Sequence, residues 1–156
     1  MAVPEIASAR AGLRPLPDVP GWDEWAVDDP EGYNTVVLGR LLVRREDGDK
    51  ARLRLTPTRV HGNLNGVIHG GVILSLIDVA LFACCSVLLD KSLATGVTME
   101  VTNQFVGPGD LSRPLDAVVE VVRETGRMIF ARGLVVQDDD TVASFSGIVR
   151  KPSPKR

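Results

Sequence analysis

The residues best suited to chemistry lie in one short window, Asn63-Leu-Asn-Gly-Val-Ile-His-Gly-Gly71, with Asp78 following it. Gly70 and Gly71 open a long apolar run. Glycines at a helix start let a ligand reach the first uncommitted backbone N–H groups with no Cβ in the way. Those donors, backed by the helix dipole, suit a carbonyl oxygen that turns negative in a transition state. His69 lies just before them and Asn63 six residues upstream, so both can bring polar atoms to the same place. Asp78 is the single charge in residues 70–89. An oxyanion donor, a carboxylate and a polar group to place water or the carbonyl are what hydrolysis of an activated acyl group needs. Each part also has a plainer reading: a tight loop for the glycines, a loop carbonyl partner for His69, a neighbouring segment or water for Asp78. Their joint spacing favours chemistry.

These residues must be positioned by a helix over 70–89, a run too long for a strand. Its length also suits a membrane span. Against that, Asp78 sits near its middle, where a carboxylate costs about 2.5–3.5 kcal/mol, and neither flank clusters basic residues. A helix apolar on all sides can equally be one wrapped by a sheet. Strand-like runs surround it. Thr35–Arg45 is rich in Val and Leu, and Ala51–Pro57 alternates strictly after the turn signal Glu46-Asp-Gly-Asp49. Thr95–Val106 is β-branched. Leu115–Arg123 puts Leu115, Ala117, Val119 and Val121 on one face with Asp116 and Glu120 opposite, and Met128–Gln137 and Thr141–Arg150 follow. The short turns predict an antiparallel meander.

Residues 1–31 hold five of the ten prolines. They read as an extended arm with one short helical turn around Trp22–Trp25, whose tryptophans dock it onto the core; a place over a substrate pocket is the alternative. Residues 32–151 form the folded domain, and residues 152–156 a basic frayed tail. With 156 residues, 44% of them apolar, there is room for one domain with a real core. The net charge of −2 and 4% aromatics argue against a nucleic-acid partner. Adjacent Cys84 and Cys85 fit neither a disulfide framework nor a zinc or redox site, so buried thiols in a reducing cytoplasm and no metal are expected. The first ten residues lack the unbroken apolar stretch of a secretory signal, and a cytoplasmic location is expected.

The pattern Asn63, Gly66, His69, Gly70, Gly71 and Asp78 resembles the signature of hotdog-fold acyl-CoA thioesterases of the phenylacetate-pathway type. Gly96-Val-Thr-Met-Glu-Val-Thr-Asn-Gln-Phe-Val-Gly-Pro108 is similar to that family's third long strand and closing turn, and roughly residues 35–150 are covered. The resemblance implies an α+β hotdog fold, a curved antiparallel sheet wrapped around one long central helix. It implies that Gly70 gives its N–H to the thioester carbonyl and that Asp78 is nucleophile or general base. Asn63 would orient water or carbonyl, and Thr98 would hydrogen-bond near the attacking water. His69 would support the helix start and, with Gly71, Leu74 and Phe82, border the substrate; Leu81 and Phe105 are further pocket candidates. CoA enters as part of the substrate, with no separate cofactor, and Arg113, Arg127, Arg150 and Lys151 are candidate phosphate contacts. A homodimer or dimer of dimers is expected, with sites shared between chains. Two other readings remain: a hotdog hydratase or dehydratase, whose His-containing motifs are missing here, and a non-catalytic acyl-CoA-binding protein.

Overall fold

The computed structural model describes residues 11–152. The first ten residues of the arm and residues 153–156 of the tail lie outside the described residues. Eight strands form one antiparallel sheet: β1 Ala11–Pro15, β2 Asp23–Val27, β3 Leu41–Arg45, β4 Lys50–Leu55, β5 Val97–Phe105, β6 Leu115–Glu124, β7 Met128–Gln137 and β8 Asp140–Arg150. Their spatial order is β1-β2-β3-β4-β6-β7-β8-β5. The helix α1, Gly70–Leu89, lies against the inner face of this sheet. The expected architecture is therefore the observed one.

Alternation explains the inner face. Leu53 and Leu55 on β4, Leu115, Ala117 and Val119 on β6, and Val135 on β7 are all fully buried. From α1 they meet Leu76, Ile77, Ala80, Leu81 and Cys84, none of them exposed. Truncating one such leucine or isoleucine to alanine costs about 2–5 kcal/mol. Gly147 lets the helix settle, because a Cβ there would collide with the Leu81 side chain. The helix is long and apolar enough to cross a membrane, yet its buried side chains are those that the sheet covers. Burial pushes the Cys85 thiol up to about 12 and raises that of Cys84 well above its usual value, so neither is a ready nucleophile.

Two expectations are corrected. The run over residues 35–45 is a strand only from Leu41; Asn34–Leu38 forms a single π-helical turn that ends at Gly39, where φ is +69°. That turn buries Leu38 and directs the Val37 carbonyl to His61. The Trp22–Trp25 segment is no helical turn: Asp23–Val27 is β2, which pairs with β1 from Ala11↔Val27 to Pro15↔Asp23 and joins β3. Trp22 is gripped on the outer surface, with the Arg44 and Arg54 guanidinium carbons 4.4 and 4.8 Å from its ring centroid. Asp116, expected on an outer polar face, is nearly fully buried there. Arg54 holds it with two bonds of 2.7 Å and Arg52 with a third of 2.8 Å.

Candidate active site

Thr98 and Asp78 meet. The Thr98 Oγ1 hydroxyl donates to Asp78 Oδ1 at 2.6 Å. Asp78 itself is exposed, on the side of α1 that the sheet leaves open. A bulge explains how Thr98 reaches it. Thr98 pairs with Val149 and Glu100 with Ile148, so Met99 is an extra residue on β5. Without that insertion, Thr98 would point away from the face that carries Val101, Asn103 and Phe105. With it, all four side chains lie on the helix side.

At the other end of α1, Phe105 lies over Gly70; a Cβ on Gly70 would come 3.3 Å from the Phe105 ring. Thr98 beside Asp78 and Phe105 beside Gly70 make β5 run antiparallel to the helix. Between them, the buried amide of Asn103 meets no partner among the described residues. The helix start is capped by His69, whose Nδ1 accepts the Gly71 N–H at 2.9 Å. The neutral ring then carries its proton on Nε2. Gly71 is thus committed, whereas the Gly70 N–H has no acceptor among the described residues. A Cβ at Gly71 would press the His69 ring at 3.0 Å, which ties that glycine to the cap.

Asn63 borders a groove of about 960 Å³ with Arg59, Asn65 and His69. Its Oδ1 accepts from the Asn65 and Val67 N–H groups at 2.9 and 3.3 Å. Only its Nδ2 donor is left for a ligand. Leu74 is exposed one turn before Asp78, and Phe82, one turn after it, shares a cleft of about 260 Å³ with the carboxylate. Leu81 is fully buried against the sheet and lines no surface, contrary to expectation. Of the candidate phosphate contacts, Arg113 is held by Asp140 at 2.9 Å and Lys151 by Glu124 at 2.8 Å. His61 is buried: its Nδ1 accepts the Thr58 N–H at 2.9 Å and its Nε2 lies 2.8 Å from the Val37 carbonyl. Among the described residues no group of three or more His, Cys, Asp or Glu side chains could hold a metal ion.

Some of the cleft's walls carried no motif. Ala11, Trp25, Val27 and Asn34 border it beside Asp78. Tyr33 adds a strap. Ser75 Oγ donates to the Gly71 carbonyl at 2.7 Å, so the Tyr33 hydroxyl, also 2.7 Å away, must be the donor to Ser75.

An antiparallel sheet around one long helix, with glycines at the helix start and a carboxylate on its open side, is the hotdog fold in the form of the PaaI-type thioesterases. The chain belongs to the thioesterase superfamily, whose family model matches residues 65–144. Among solved structures it is similar to the PaaI protein from the phenylacetic acid degradation operon of E. coli, with TM-score 0.66 and 25% identity over 79% of this chain and 86% of that one. A conserved protein from Pseudomonas aeruginosa follows at TM-score 0.65 and 24% identity, covering 78% of this chain and 94% of that one. Thioesterase superfamily member 2 from Mus musculus has TM-score 0.61 at 15% identity, covering 74% and 84%. The last two likenesses speak for the fold. No curated protein matches the chain by sequence.

Proposed function

We propose that the chain is an acyl-CoA thioesterase, hydrolysing a thioester to a free acid and CoA at sites shared between two antiparallel-packed subunits. The observation that carries this reading is the 2.6 Å bond from Thr98 to Asp78 on the same helix whose first N–H, that of Gly70, is uncommitted. Thr98 fixes one carboxylate oxygen and leaves Oδ2 to accept a proton from water or to attack the carbonyl carbon. The Gly70 N–H polarises the carbonyl and takes up the charge that develops on its oxygen. Asn63 contributes through Nδ2, orienting water or carbonyl, and His69 holds the donor in place by capping the helix. The thioesterase superfamily membership supports the reaction class, and the cytoplasm is the expected location.

The hydratase reading needs a histidine paired with a carboxylate. His61 spends both ring nitrogens in the core, and His69 spends Nδ1 on the cap. The test is thiol release from a panel of acyl-CoAs. Asp78→Asn keeps an acceptor for Thr98 but loses the base, and turnover is expected to fall at least about a hundredfold. Unchanged turnover in the folded variant removes Asp78 from the mechanism. Tight binding of acyl-CoA without turnover by the unaltered chain would favour the non-catalytic reading.

A further inference from the structure

The cleft beside Asp78 has one side that the family signature does not supply. Phe82 and Val79 come from α1, and Ala94 and Gly96 from the segment before β5. Ala11 on β1, Trp25 and Val27 on β2, and Asn34 complete it, all ahead of the family-matched residues 65–144. This side is firmly held. The hairpin is paired over five positions, Trp25 is only 6% exposed within the core, Trp22 is gripped by two arginines, and Tyr33 is bonded to Ser75. Asn34 and Asp78 apart, the lining side chains are apolar. The cleft measures about 260 Å³ and this anchored side bounds it.

We propose that the β1–β2 hairpin is the specificity-determining wall of the acyl site, favouring compact apolar acyl groups over long fatty chains. This rests on the thioesterase reading. A long chain extended toward this side must displace a wall that is anchored at Trp22, Trp25 and Tyr33. A buried methylene discriminates by about 10–200-fold, so the wall has ample leverage over chain length.

The experiment measures kcat/KM on the full chain for straight-chain acyl-CoAs from butanoyl to hexadecanoyl, alongside calorimetric binding of the matching non-hydrolysable thioether analogues. Val27 is the residue to vary, because it is half-buried at the end of β2 whereas Trp25 is core. A drop of at least about tenfold from octanoyl to dodecanoyl is expected. Val27→Ala raises the dodecanoyl-to-octanoyl ratio by at least about tenfold, and Val27→Phe moves the optimum to shorter chains, both in variants verified as folded by circular dichroism. A preference for long chains, or a profile that neither variant moves, overturns the wall. Absence of hydrolysis with the same length profile in binding overturns the thioesterase reading and leaves the wall standing.

Discussion

At the scale of single residues, Thr98 decides how the Asp78 carboxylate is held. A carboxylate on an open helix face can sample several rotamers, and a 2.6 Å bond from a strand-borne hydroxyl selects one. Thr98→Val preserves the shape and removes that bond. Turnover is expected to fall about tenfold or more with KM little changed, since a positioned acid–base group contributes about 10²–10⁴ in total. Equal rates for the valine variant would make the contact incidental. Asp78 and Gly70 were legible as a pair because a lone charge and a double glycine stand out in an apolar run. A place for Thr98 near the attacking water was expected from resemblance alone, and its bond to Asp78 was not foreseen. Its physical cause, the extra residue Met99, appears only in the pairing with β8 and leaves no mark in the local sequence. The commitment of Gly71 to His69 was equally hidden, because it depends on which way one imidazole turns.

At the scale of elements, the strands that were readable are those with one buried face, such as β6, where alternation and burial coincide. Residues 35–38 read as strand because Thr-Val-Val-Leu has strong β-propensity; burial of Leu38 and the positive φ of Gly39 override it. The hairpin β1–β2 escaped notice for the opposite reason, since the prolines around it mask two short paired runs. On the outer face, Arg44 lies over the Trp22 ring, and Glu46 Oε1 accepts from both Arg44 and Arg52 at 2.7 Å. Burial opposes ionisation of Glu46, but the Arg52 and Arg44 bonds outweigh it and hold the carboxyl below its usual value. A depressed carboxylate pKa adds stability that is present above the unfolded value and lost as pH falls through the folded one. Glu46→Gln should therefore lose up to about 1 kcal/mol in urea unfolding at pH 7. The gap to the unaltered protein should close as pH drops below about 4. A gap that is constant with pH would assign the loss to something other than the charge.

At the scale of the whole molecule, one chain carries both Gly70 and Asp78 but holds them apart. Gly70 and Asp78 are eight residues distant on one helix, about 12 Å along its axis. Reacting atoms must come within about 3–3.5 Å. The same chain leaves β5 as a sheet edge bonded only to β8 among the described strands. Val97, Met99, Phe105 and Val106 are exposed on or just beyond it, and Leu74 is exposed on the helix beside it. Two chains joined at these edges, with their helices antiparallel, would bring Gly70 of one to Asp78 of the other and cover that apolar surface. Complementation measures this directly. Asp78→Asn chains and Gly70→Val chains, whose new branched Cβ would crowd Phe105 and block the N–H, are each expected to be inactive. Under random exchange half of the dimers are mixed, and each mixed dimer carries one intact site of two, so about a quarter of the wild-type activity should return. No recovery after verified exchange, or full activity in a proven monomer, would contradict the shared site.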